Sequence, residues 1–533
     1  MTRTNTPREI AVGVLVLFAA LCSPATADVT LPSIIGDNMV LQRDMPLPVW
    51  GSADPGEKVT VKLCGKTASA TADDKGKWRV KLGEMSAGGP FDMTVAGKNT
   101  ITVKNILVGE VWVCSGQSNM AMSVAGSSTA KEAIAGANFP KYRLLKAAMV
   151  PAPEPADDVE GQWVEATSKS VPGFSAAGYF FGRELHKALG VPVGMVQSAW
   201  GGTPARAWTS LEAIEANPEL KDLALGYHRA FERHPDLKEK WQEYWQTSAK
   251  ASNAYRKERA KWLAEVKKAK AEGRKAPPRP KYPKGIAISR GMTSVLYNGM
   301  IAPLVPYAIR GAIWYQGEAD AGRAYQYRTL FPAMITCWRK AWGQGDFPFI
   351  FVQLPNFRQP VTEPGESNWA ELREAQSMTL SLPNAGMAIT IDIGEADNIH
   401  PKNKEDVGKR LAQNALGTVY GKKVAASGPL YESMSVKGGK VCIKFRHTDG
   451  GLVAKGGPLK YFSIAGEDKK FVWADAEIDG DTVVVSSGQV AEPVAVRYAW
   501  ADNPDGCNLY NKAGLPASPF RTDDWPGITA PKK

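Results

Sequence analysis

ILVGEVWVC (106–114) is apolar at seven of nine positions and does not alternate. A continuous apolar run of strand length is the pattern of a β-strand covered on both faces, as in a parallel sheet. VPVGMVQSAW (191–200), IRGAIWYQG (309–317), PFIFVQL (348–354) and MAITIDI (387–393) have the same texture. AAGYFFGRELHKALG (176–190) lies between two of them and reads as an amphipathic helix closed by Gly190. Strands alternating with helices predict a parallel α/β domain, here built from 106–210 and 285–427. Such sheets bind ligands in the crevice beyond the carboxyl ends of their strands, so the residues just after each apolar run are the ones to inspect.

The flanks read differently. Over 28–105, short runs such as KVTVKL (58–63), KWRVKL (77–82) and NTITVKN (99–105) alternate apolar and polar positions. Turns such as Asp54-Pro55-Gly56 separate them, which predicts a small N-terminal β-sandwich ending at 105. Residues 211–284 have helix-forming composition, as in LKEKWQEYWQ (237–246), and end in the stiff PPRPKYPKG (277–285), so they read as a helical insertion and linker. From 428 to 533 the pattern returns to β, with GKVCIKF (439–445), KKFVWADAEI (469–478) and DTVVVSS (481–487). That segment either closes a second sandwich or completes the first.

Residues 1–27 are expected to be a signal peptide. Arg3 and Arg8 precede the 13-residue apolar stretch IAVGVLVLFAALC (10–22), and Ala25-Thr26-Ala27 offers a small-x-small cleavage pattern. The stretch is too short for a membrane span, and no later one is long enough, so a secreted or periplasmic protein without a membrane span is expected. Removing it leaves Cys64, Cys114, Cys337, Cys442 and Cys507, an odd number with no CxxC or Cys/His spacing. At least one thiol is therefore free, and no metal site is expected.

The 533 residues carry a formal charge of +11, with 44% hydrophobic and 22% charged residues, which excludes global disorder. A basic chain raises the question of nucleic acid, but the excess is local. RKERAKWLAEVKKAKAEGRK (256–275) holds nine Lys+Arg against three Glu. No nucleic-acid-binding module accompanies it, so a solvated helix face is expected and nucleic acid is not.

Histidine is scarce, and this is informative. His186, His228, His234 and His447 lie in helical, charged or strand-edge contexts. His400 falls in DIGEADNIHPKNK (392–404), in the loop after an apolar run, with Asp397 three residues ahead. A carboxylate so placed can hold the imidazole tautomer and leave Nε2 as a base. VWVCSGQSNM (111–120) supplies a partner. Ser118 follows the first run through a short turn, where its hydroxyl can face the crevice while its own N–H helps form an oxyanion hole. SAWGGTPARAW (198–208) adds Trp200, a Gly201-Gly202 pair and Arg206, and WYQGEAD (314–320) adds Gln316, Glu318 and Asp320.

These blocks resemble the sialate O-acetylesterase group of the SGNH hydrolases. The resemblance runs through GDNMVLQRDMPLPVWG (36–51), VCSGQSNM (113–120), VPVGMVQSAWGGTPARAW (191–208), IWYQGEAD (313–320) and DNIHPKNK (397–404), and covers about residues 28–427. It implies an α/β, three-layer SGNH-hydrolase fold. It also implies Ser118 as nucleophile, His400 as general base and acid, and Asp397 as the carboxylate that orients His400, with Glu318 as the alternative acid. The Ser118 and Gly202 N–H groups and the Gln316 side chain become the oxyanion donors. Trp200 and Arg206 become candidate substrate contacts, with Arg323 a further basic candidate. Asp320 stands where the family often has Asn, so the resemblance assigns it nothing. The implied reaction removes acetyl groups from an acetylated carbohydrate through an acetyl-serine, with no cofactor. A secreted lipase or peptidase and a non-catalytic carbohydrate-binding protein are the competing readings. No oligomeric state is read from the sequence.

Overall fold

The computed structural model describes residues 1–2, 28–283 and 288–531. The signal-peptide reading of 1–27 lies almost wholly outside the described residues. The protein is mixed α/β, with a largely parallel central sheet and a C-terminal β region.

The central sheet is built from the apolar runs. Its strands are β1 (Thr100–Gly116), β2 (Asn138–Lys146), β3 (Trp163–Thr167), β4 (Val193–Ala199), β5 (Gly311–Tyr315), β6 (Phe349–Val352) and β7 (Ala385–Ala388). Their order is β7-β6-β5-β1-β4-β2-β3. Every neighbouring pair is parallel except β2 with the edge strand β3. β4, β5 and β6 are buried at every position, which explains why their sequences show no alternation. Burying one such Ile or Phe side chain contributes about 1.5–3 kcal/mol. The main helices are α1 (Ala176–Leu189), α2 (Trp241–Ala271), α3 (Ala324–Trp342), α4 (Asn368–Met378) and α5 (Lys404–Thr418). Ser175 caps α1 by accepting from the Gly178 N–H, and Gly190 ends it in the left-handed region at φ 67°. α1 and α5 pack on one another and on the sheet.

Two expectations need correction. No break occurs at 105/106. β1 is one 17-residue strand, whose first half pairs antiparallel with Gly88–Ala96 and whose second half lies in the parallel sheet. Asn105 takes φ 57° without ending the strand, a conformation Asn tolerates better than most residues. The run at 387–393 forms a strand only over Ala385–Ala388, because the chain leaves the sheet for the loop that carries His400.

The insertion contains α2, which runs for 31 residues. Beyond 428, two four-stranded sheets and one two-stranded ladder form, and their strands pair only with one another. This region docks on the loop after β6 through Arg373 of α4. The buried Arg373 guanidinium donates to the carbonyls of Leu354, Pro355, Ala501 and Asp502. The five described cysteines are all unpaired, and no described helix is long and apolar enough to cross a membrane.

Candidate active site

Strand register brings the site together. Gly116 is opposite Ala199 on β4 and opposite Tyr315 on β5, so three strand ends stop at one level. The residues that follow are Ser118, the Trp200–Gly202 turn and Gln316. Gly116 is required here. It sits at φ 136°, and a Cβ on it would lie 2.2 Å from the Tyr315 carbonyl oxygen. The chain then turns into the four-residue helix Ser118–Ala121, with the Gln117 N–H donating to Tyr315 O at 3.0 Å.

His400 reaches the same place from the loop after β7. Its Nε2 lies 2.8 Å from Ser118 Oγ. The two residues are 282 apart in sequence, so only the sheet brings them together. Partial burial lowers the His400 pKa, and the nearby charge of Lys404 adds to the effect, favouring a neutral ring able to take a proton. The other histidines are elsewhere. His186 Nδ1 bonds Val191 O, and His228 bonds Glu215.

Among the described residues, neither the Ser118 N–H nor the Gly202 N–H has an acceptor within the chain. Gly202 holds φ 70°, and the turn it belongs to is pinned by the Trp200 N–H donating to Gly116 O at 3.0 Å. Gly201 approaches the nucleophile so closely that a Cβ on it would lie 3.2 Å from Ser118 Cβ. N–H groups left without an acceptor on the serine itself and on the adjoining turn are of the kind that hold a developing oxyanion.

Gln316 is placed differently from expectation. It is fully buried, its Nε2 donates to Thr203 O (3.3 Å) and Asp320 Oδ2 (2.6 Å), and its Oε1 accepts from Tyr327. Both amide hydrogens are engaged, so the side chain braces the 200–205 loop instead of offering a free donor. Asp320 shares that task by accepting from the Ala205 N–H at 2.8 Å. Burial raises its pKa, against the hydrogen bonds from Ala205 and Gln316.

The two carboxylates also differ from expectation. Asp397 is exposed, and among the described residues no hydrogen bond joins it or Glu318 to the His400 ring. Glu318 Oε1 instead accepts from Asn119 Nδ2 at 2.5 Å, and its buried Oε2 has no partner. Burial pushes the Glu318 carboxyl pKa up. The same Asn119 amide donates to Ile399 O at 2.9 Å. One fully buried side chain, next to Ser118, thus holds both Glu318 and the residue next to His400.

The His400 loop has its own braces. Glu395 accepts from the Lys402 N–H (2.6 Å) and the Asn398 amide (2.9 Å), and Asn398 Oδ1 accepts from the His400 N–H (3.0 Å). Asn403, not Asp397, caps α5. Lys404 is fully buried, donates to Pro401 O and lies over the Tyr315 ring. Burial lowers its pKa to about 8, against the pull of Glu318 and Glu395. Sequence reading passed over Asn119, Glu395 and Lys404. Their only local signal was adjacency to Ser118 or His400.

Trp112, Trp208 and Trp314 are fully buried core residues, whereas Trp200 is half-buried beside the turn. Arg206 donates Nε to Gly291 O at 3.1 Å, and burial lowers its pKa. Arg323 pairs with Asp222 at 3.2 Å.

Known proteins resemble this chain over most of its length. Residues 285–417 match the family model described as carbohydrate esterase, sialic acid-specific acetylesterase. The sialate O-acetylesterase of Mus musculus is 30% identical, the alignment covering 95% of this chain and 96% of that protein. The Homo sapiens sialate O-acetylesterase is 29% identical with 93% of each covered. A crystal structure of a carbohydrate acetylesterase from Xanthomonas citri is 37% identical, with a TM-score of 0.77 over 93% of this chain and 100% of that one.

Proposed function

The chain belongs to the sialate O-acetylesterase family and is a carboxylic ester hydrolase, and from that premise we propose that it is an exported serine esterase that removes O-acetyl groups from carbohydrates. The observation that carries this reading is the 2.8 Å contact between Ser118 Oγ and His400 Nε2 beside two unsatisfied N–H groups. We read the sheet and its helices as the three-layer SGNH arrangement, and the N-terminal strands as a β-sandwich.

In the proposed reaction His400 Nε2 takes the Ser118 hydroxyl proton as Oγ bonds to the acetyl carbonyl carbon. The carbonyl oxygen becomes an oxyanion held by the Ser118 and Gly202 N–H groups. Losing one such donor typically costs about 10² to 10³ in kcat. The bond to the sugar oxygen then breaks, His400 returns its proton to that oxygen, and acetyl-Ser118 remains. Water, deprotonated by His400, attacks the acyl carbon, the bond from that carbon to Oγ breaks, His400 returns the proton to Ser118 Oγ, and acetate leaves. Asp397, exposed and three residues from His400, is the orienting carboxylate in this reading, with Glu318 its alternative. Residues 1–27 direct export.

The reading is tested by measuring acetate released from O-acetylated sialate and acetylated xyloglucan by the wild type and by Ser118→Ala. The wild type should release acetate from at least one of them, and the variant should fall by at least about 10³-fold. Equal rates in the two would refute it.

A further inference from the structure

Part of what holds the His400 loop comes from beyond residue 428. Asn503 of the C-terminal β region is buried, as is Asn356 in the loop after β6. Asn503 Oδ1 accepts from the Asn356 amide at 2.9 Å, and Asn503 Nδ2 donates to the Arg358 carbonyl at 2.5 Å. Both partners in turn bond the His400 loop. Asn356 Oδ1 accepts from the Gly394 N–H at 2.7 Å, and the Arg358 N–H donates to Ala396 O at 2.8 Å. Glu395 lies between these two anchored residues. Its carboxylate holds Lys402 and Asn398, and Asn398 holds the His400 N–H, so a path of hydrogen bonds and chain joins Asn503 to His400.

This seam has little slack. A Cβ on Gly394 would lie 1.9 Å from Asn356 O. Arg358 holds φ 78°, in the left-handed region, which a residue with a Cβ keeps only where its surroundings enforce it. Arg373 fastens both sides, because the four carbonyls it binds belong to the residues just before Asn356 and Asn503. Tyr510, also from the C-terminal region, adds a second strut. Its hydroxyl donates at 3.1 Å to Asp392, which lies between β7 and His400, and Arg410 of α5 grips both oxygens of that carboxylate at 2.5 and 2.8 Å. None of these hydrogen bonds reaches Ser118 or the His400 ring.

We infer that the C-terminal β region is a positioning element of the active site, in which Asn503, acting through Asn356 and Arg358, fixes the 394–396 segment and so the place of the His400 ring beside Ser118. Tyr510 supports the same loop through Asp392. The catalytic meaning of that placement rests on the esterase reading, but the placement itself can be read without turnover.

The experiment compares full-length wild type, Asn503→Ala, Tyr510→Phe and Ile443→Ala. Ile443 is buried within the C-terminal sheet, on the strand Lys440–Arg446, so its truncation weakens that region and leaves the seam intact. The pH dependence of His400 modification by diethyl pyrocarbonate, followed by peptide mass spectrometry, reports the ring pKa because only the neutral imidazole reacts. kcat and KM on p-nitrophenyl acetate are measured beside it. In Asn503→Ala the freed ring should gain water, so its pKa should rise toward the ordinary value of about 6.5. kcat should fall about 10²-fold with KM little changed. Tyr510→Phe should shift both in the same direction, with kcat down about two- to tenfold, the worth of one hydrogen bond. Ile443→Ala should lower the melting temperature and leave the His400 pKa and kcat near wild type. An Asn503→Ala protein with wild-type His400 pKa and kcat, or equal changes in Ile443→Ala, would overturn the inference. If Asn503→Ala does not fold, wild-type values in Tyr510→Phe would overturn it. A wild type inactive on every ester tested, whose His400 pKa still rises in Asn503→Ala, would count against the esterase reading alone.

Discussion

Replacing Asn119 by alanine removes two hydrogen bonds donated by one buried amide, to Glu318 Oε1 at 2.5 Å and to Ile399 O at 2.9 Å. The first is to a carboxylate, worth about 1.5–3 kcal/mol, and the second to a carbonyl, worth about 0.5–1.5 kcal/mol. Together the loss is about 2–4.5 kcal/mol of native-state stability. It falls on a fully buried position where Glu318 Oε2 already has no partner. The same bonds tie the Ser118 turn to the His400 loop, so activity should fall as well. A displacement of about 1 Å between catalytic groups can cost about 10²-fold. The assay is kcat and KM on p-nitrophenyl acetate beside thermal unfolding of both proteins. The expected result is a lower melting temperature together with kcat reduced about 10²-fold and KM little changed. A kcat within threefold of wild type, in a protein measurably less stable, would refute the idea that Asn119 sets the Ser118–His400 distance.

Other perturbations probe the surrounding groups. The general base must be neutral, and burial with the Lys404 charge lowers the His400 pKa, so the acid limb of kcat/KM should lie below the ordinary histidine value of about 6.5. Lys404→Met removes the charge and leaves the burial, so that limb should move to higher pH while staying below the ordinary value; a pH–rate profile checks both. Asp320→Ala leaves the Ala205 N–H and one hydrogen of the Gln316 amide without their acceptor. It should therefore lower stability by about 2–4 kcal/mol in denaturant titration and reduce kcat by loosening the oxyanion turn. Asp397→Asn should lower kcat by about 10² to 10⁴-fold if that carboxylate orients His400. A loss confined to Glu318→Gln would transfer the role.

Much of the sheet was legible because a strand buried on both faces must be apolar throughout, as ILVGEVWVC (106–114) is. Ser118 and His400 stood out because each lies in a loop that follows such a run, and the structure brings their side chains within 2.8 Å. The expected break at 105/106 was misleading because the change from alternating to continuous apolar texture marks where one strand passes from an antiparallel pairing into the buried parallel sheet, not where a strand ends. The bracing groups escaped notice because their partners are remote. Asn119 bonds residues 199 and 280 positions away, and no local pattern encodes such pairings. Gln316 read as a donor to substrate because its residue type permits it, yet Thr203 and Asp320 already occupy its amide. The charged insertion read as a solvated helix, and its composition contained no sign that Trp245 and Arg256 would close a cavity beside Gly202.

In the proposed reaction Ser118 carries the acyl group. The most direct measurement is peptide mass spectrometry on wild-type enzyme quenched in acid during turnover of p-nitrophenyl acetate, with Ser118→Ala treated in parallel. One acetyl group is expected on the wild-type peptide that contains Ser118, and none on the corresponding variant peptide. Acetate released at the wild-type rate by Ser118→Ala, or an acetyl group found on another residue of the turning-over enzyme, would contradict it.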